Sequence, residues 1–133
     1  MIDDYVKKWV IKALEDFKVA KHELDLPKEE ISTGPVCFHC QQLVEKLLKA
    51  YLISKNIDFG KTHDLKFLLH LCIQQDSDFK KLNVGSLTSY ADEVRYPDEF
   101  YIPSVEEAQK CFKIGLEVKN FIFNKLKIDE KKL

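Results

Sequence analysis

Apolar residues recur at three- and four-residue steps along most of the chain, a spacing that predicts helices rather than strands. Val6, Trp9, Val10, Ala13, Phe17, Ala20 and Leu24 gather on one face of a first helix from about Asp3 to Leu24, and Pro27 ends any continuation. The polar stretch DLPKEEISTG leads to Pro35, whose fixed φ suits a first helical turn. Ser32, Thr33 or Gly34 is placed to cap this second helix, which should reach about Lys55. A third helix begins at THDLKFLLHLC, where Thr62 can accept from free amides and Asp64 favours the positive dipole end. After a break around DSDFKKLN, the segment VGSLTSYADEV reads as a shorter fourth helix, halted by Pro97, which pushes Tyr96 out of helical conformation. Ser104 and Glu107 have capping-box spacing for a fifth helix to about Lys127, leaving residues 128–133 as a frayed tail. With no sustained strand alternation and no internal repeat, the expectation is one all-α domain over 1–133, an up-and-down bundle of about five helices.

Composition narrows the class. At 133 residues and 45% hydrophobic, the chain can bury one core without disulfide or metal support. Lysines and arginines number 21 against 22 acids, so bulk charge does not draw in phosphate polymers and any nucleic-acid role needs a local site. No apolar run approaches the roughly 18 residues of a membrane span, and MIDDYVKKWV lacks the apolar segment of a signal sequence, so a cytoplasmic protein without membrane association is expected.

The motif CFHC, residues 37–40, raises the question of a metal or redox site. At 100° per residue, Val36, Cys37, Cys40, Leu43, Val44, Leu47, Leu48 and Tyr51 share one apolar sector, which makes both thiols core residues. Cys72 and Cys111 stand alone in apolar stretches, whereas structural zinc takes four ligands from two short clusters; no metal site is expected. Phe38 projects away from that sector, among Gln42, Glu45 and Lys49, and Ile114 and Phe121 lie off the main stripe of the fifth helix. Phe38, Gln42, Ile114 and Phe121 are therefore the candidate interface of a homodimer.

A second cluster, SYADEVRYPDEFYIP at residues 89–103, packs Arg95, Tyr96 and Tyr101 around a helix end. Guanidinium offers a planar fork to phosphate and phenol rings can stack on a base, so these types suit a nucleotide or an unpaired RNA base. Alternatively Arg95 pairs with Asp92, Asp98 or Glu99 and the tyrosines pack under the loop. Among the histidines, His22 and His70 fall on polar helix sides and His39 at the edge of the core stripe. His63, beside Lys61 at a helix start with free amides, is the functional candidate. Phosphate-loop glycines, HExxH and GxSxG are absent, and no cofactor is implied.

The pieces PVCFHCQQLVEKLLKAYLI, KTHDLKFLL, SYADEVRYP and SVEEAQKCFKIGLEVKNFI, in this order and spacing, resemble the HEPN domain family. The resemblance implies a helical bundle, frequent homodimers and association with minimal nucleotidyltransferases in toxin–antitoxin-like pairs. Many members are metal-independent ribonucleases in which an arginine is followed after four to six residues by a histidine. Arg95 fits the first position, but Phe100, Tyr101 and Ile102 stand where the histidine falls. An ordinary phenol keeps its proton at neutral pH and cannot replace imidazole in acid–base work. The sequence thus leads to a non-catalytic or weakly catalytic module that binds a nucleotide or RNA phosphate through Arg95, Tyr96, Tyr101, His63 and Lys61 and partners a minimal nucleotidyltransferase. Two alternatives stand beside it. One is a ribonuclease with a degenerate motif, using Arg95, Tyr101 and His63; the other is a protein-interaction adaptor without ligand.

Overall fold

In the computed structural model, which describes residues 2–91 and 101–133, every long apolar-periodic segment is a helix. The helices are α1 (Asp4–Leu24), α2 (Thr33–Ser54), α3 (Leu65–Gln75) and α4 (Val105–Leu126), and no strand occurs among the described residues. The all-helical bundle expected from periodicity is the observed class. None of these helices is long and apolar enough to cross a membrane.

Caps set the helix starts. Asp3 accepts from the Val6 amide at 2.9 Å and Ser104 from the Glu107 amide at 3.0 Å, each filling one of the free donors of a first turn. At α3 the cap is Asp64 rather than Thr62: its Oδ1 accepts from the amides of Lys66 at 3.0 Å and Phe67 at 3.3 Å, while Thr62 Oγ1 accepts from Asp64 itself at 3.1 Å. Asp64→Ala should cost about 1 kcal/mol in urea denaturation, the usual worth of an N-cap; a loss below a few tenths would show that Thr62 serves equally well. Ser32 occupies the cap position of α2 without a side-chain bond. Thr33 instead donates its hydroxyl to the Pro103 carbonyl at 2.6 Å, joining the start of α2 to the approach of α4.

The central helix is α2, buried on almost every side because α1, α3 and α4 all pack on it. Leu43, Val44, Leu47, Leu48, Tyr51 and Leu52 form the middle of the core. Gly115 lets α4 approach closely; a Cβ there would meet Leu43 Cδ2 at 2.9 Å. Cys37, Cys40, Cys72 and Cys111 are all buried in this core, as the helical phase predicts for the first two. Burial raises the Cys40 thiol and pushes Cys72 up to about 12, so neither supplies a thiolate nucleophile at neutral pH. Across the α1–α2 seam, Asp16 accepts from Lys46 Nζ at 2.6 Å and pairs with His39 Nδ1 at 2.8 Å. This gives the core-edge histidine a structural task.

Three segments differ from the expectation. The break around residues 76–83 contains a 3-10 turn, Ser77–Lys81, that drives Phe79 into the core. The expected fourth helix is, in its described part, a 3-10 turn at Leu87–Tyr90 entered through Gly85 at φ +55°. Leu87 and Tyr90 lie three apart, a spacing that serves a 3-10 turn as well as an α-helix. The tail, expected to fray, turns back at Lys127 (φ 54°) and forms a short 3-10 turn at Glu130–Lys132. Ile128 and Leu133 rest against the Val6, Val10 and Ala50 cluster, and Glu130 pairs with Lys119 at 2.7 Å.

Candidate functional site

Gln41, Glu45 and Lys49 are spaced four apart on α2 and so form one row along the helix. In the sequence this row looks like the solvent side. In the structure it is covered: Glu45 is 5% exposed and Lys49 7%. The cover comes from Trp9 of α1 and from the 55–64 loop. Lys49 Nζ lies 5.9 Å from the Trp9 ring centre and 5.3 Å from that of Phe59. A buried ammonium needs a counterion, and Glu45 supplies it at 3.0 Å.

Glu45 is the hub. Its oxygens accept from Gln41 Nε2 at 3.0 Å, from Lys49 Nζ at 3.0 Å and from His63 Nδ1 at 3.0 Å. Burial by itself would raise its pKa, but these hydrogen bonds and the Lys49 charge outweigh it and hold the carboxyl below its ordinary value. Gln41 also reaches the His63 carbonyl at 3.4 Å, so His63 is gripped at both backbone and ring. Yet its side chain remains 71% exposed. A solvent-facing imidazole is thus aimed by a buried carboxylate.

His63 stands at the rim of a cleft of about 590 Å³ walled by Tyr5, Trp9, Ile53, Ile57 and Phe59, with Lys49 and Lys61 also on its lining. Aromatic walls with Lys61 and His63 on the same lining match a planar ring bearing a negative group, with the carboxylate of Asp58 also present on that lining. Two expected ligand residues, Lys61 and His63, are therefore brought together. Trp9, Phe59, Lys49 and Glu45 join them, none of which the sequence singled out as site residues. The available signal was the Gln41/Glu45/Lys49 spacing inside an otherwise apolar helix.

The other candidates are placed as follows. Arg95 and Tyr96 lie outside the described residues. Tyr101 is exposed and donates its hydroxyl to the Glu107 carboxylate at the head of α4. That head is tied to Thr33, whereas His63 is tied to Glu45, twelve residues further along α2 or about 18 Å of helix axis. Tyr101 and His63 are not brought together. Of the candidate interface residues, Phe38 is half-buried with its ring edge to His39 at 5.1 Å, and Gln42 donates to Gln41 at 2.7 Å. Ile114 and Phe121 pack on the core from within the chain, Phe121 edge-on to Phe79 at 4.8 Å. Among the described residues, no group of three or more His, Cys, Asp or Glu side chains gathers as metal ligands do.

The model of the family described as HEPN domain matches residues 6–126. A solved structure described as "Crystal Structure of ST0689, an archaeal HEPN homologue" is similar, with a TM-score of 0.61, 21% identity, and coverage of 90% of this chain and 96% of that one. At that identity the likeness speaks for the fold alone. No curated protein matches the chain.

Proposed function

The chain belongs to the HEPN domain family, and on that premise we propose that it is a binding module for a nucleotide or RNA phosphate, working as the companion of a minimal nucleotidyltransferase in a toxin–antitoxin-like pair. The observation that carries the ligand reading is the exposed His63 aimed by buried Glu45 at the rim of a cleft shared with Lys61, Trp9 and Phe59. In this reading Lys61 faces the phosphate, His63 stands beside it at the sugar, and Trp9 and Phe59 offer stacking surface to the base. Arg95 and Tyr96, also expected to bind the ligand, lie outside the described residues. Thr88 Oγ1 accepts from the Leu65 amide at 3.0 Å, which ties the Leu87–Tyr90 turn to the residues following His63.

Calorimetric titration with AMP and ATP tests it. Lys61→Ala and Trp9→Ala should each weaken binding, Trp9→Ala by at least about fivefold, the low end of what a base stacked on an aromatic ring contributes. Arg95→Ala should weaken it as well. Undiminished binding in Lys61→Ala and Trp9→Ala moves the ligand elsewhere; no binding of any nucleotide leaves a protein-docking role. Co-purification with the product of an adjacent gene tests the nucleotidyltransferase partnership, and sedimentation tests a homodimer through the faces carrying Phe38, Gln42, Ile114 and Phe121.

A second reading, metal-independent ribonuclease, draws on the same Glu45–His63 pair, since a carboxylate-held imidazole suits acid–base work. It requires cleavage of single-stranded RNA in chelator, lost in both Arg95→Ala and His63→Ala. RNA left intact by the folded protein removes it.

A further inference from the structure

Resting on the nucleotide-binding reading of the cleft, we propose that Glu45 and His63 together select a ribonucleotide over its deoxy counterparts, with His63 Nε2 accepting a hydrogen bond from a ribose hydroxyl.

The argument starts from tautomers. A carboxylate held in its ionised form is acceptor-only, so the contact of His63 Nδ1 with both Glu45 oxygens at 3.0 Å places the proton on Nδ1. In the neutral ring the other nitrogen, Nε2, then carries a bare lone pair. It lies across the ring from Nδ1, on a largely exposed side chain that lines the cleft, and no hydrogen bond to it is found among the described residues. The grip from Gln41 on the His63 carbonyl at 3.4 Å limits the swing of the ring's backbone anchor.

The rim's other acceptors are less suited to a sugar. Asp58 turns an oxygen to the Gly60 amide at 2.9 Å, and its charge repels a neighbouring phosphate. Thr62 Oγ1 is taken by the Asp64 amide at 3.1 Å. In the Nδ1–H form, an acceptor two residues from Lys61 fits a ligand whose phosphate meets the Lys61 ammonium and whose adjacent hydroxyl needs a partner. A ribonucleotide carries both groups, and its hydroxyl is the feature by which proteins tell ribose from deoxyribose. Since His63 is largely open to water, the lost bond is partly replaced by solvent and the discrimination should be modest, about five- to tenfold.

The experiment compares AMP with its 2′-deoxy and 3′-deoxy analogues by calorimetry on the full chain. One of the two analogues should bind about five- to tenfold more weakly than AMP. In His63→Phe, which keeps a flat ring at an exposed position, AMP should fall to the level of that analogue, whose own affinity stays put. Nitrogen-15 spectra at alkaline pH supply a ligand-free readout, with His63 as the Nδ1–H tautomer in the parent chain. Equal binding of all three nucleotides, a preference surviving in His63→Phe, or a parent His63 carrying its proton on Nε2 would overturn the proposal while leaving nucleotide binding intact. Failure of AMP and both analogues to bind at all would overturn the reading beneath it, and the proposal with it.

Discussion

Glu45→Ala is expected to lower unfolding stability by about 3–5 kcal/mol, the cost of leaving a buried charge without its partner. The stranded group is Lys49, 7% exposed, with Glu45 the carboxylate it meets at 3.0 Å. Gln41, fully buried, loses an acceptor in the same step. Urea denaturation of the variant gives the number, and a loss below about 1 kcal/mol would mean that the pair is far wetter than its burial implies. Replacing both partners, as Glu45→Leu with Lys49→Met, should recover part of the loss, because an apolar pair of similar bulk avoids two desolvation penalties. The same carboxyl sets a pH dependence. Its folded pKa lies below the ordinary value, so its contribution is present above the unfolded carboxylate range and is lost as pH falls through the folded pKa. Stability should therefore decline on acidification more steeply in the parent chain than in the Glu45→Leu, Lys49→Met variant.

Phe79→Ala should cost a similar amount, about 3–5 kcal/mol, for a different reason. Phe79 is fully buried, its ring 4.5 Å from that of Tyr51 on α2 and 4.8 Å from that of Phe121 on α4. It stands on the short 3-10 turn Ser77–Lys81 and plugs the space between the two helices. Truncation leaves a cavity that two rigid helices cannot close, and the aromatic contacts are lost with it. Phe79→Leu, which refills most of the volume, should cost less than half as much by the same denaturation assay. Equal costs for the two variants would show that ring geometry, not volume, supplies the stabilisation.

These two residues mark where local reading of the chain stops. Phe79 falls in a stretch that reads as a break, DSDFKKLN, because one phenylalanine among charged residues has no periodic neighbours. Its burial depends on Tyr51 and Phe121, which are 28 residues before it and 42 after it. Glu45 and Lys49 read as an outer face for the converse reason. In isolation a polar row on a helix is indistinguishable from a solvated one. Only the arrival of Trp9 and of the loop carrying Phe59 and His63 converts it into a buried ion pair. Ile114 and Phe121, on the fifth periodic segment, now α4, show a further limit of local phase. Both lie off the main stripe, yet neighbouring turns rise to cover them in part.

What the amino-acid order determined by itself is everything set within one or two helical turns. Periodicity placed the long helices, Asp3 and Ser104 capped two of them, and the cysteine phase put Cys37 and Cys40 inside. His63 and Lys61 were legible as candidates because a helix start and a basic neighbour are adjacent in the chain. The tertiary structure alone decided that they open onto a cleft with Trp9, that the carboxylate aiming His63 is Glu45, and that Tyr101 belongs to the far end of α2. The reason is physical. Propensity and phase are properties of near neighbours and survive in any context, whereas the meeting of a buried charge with its partner is fixed by how whole helices pack.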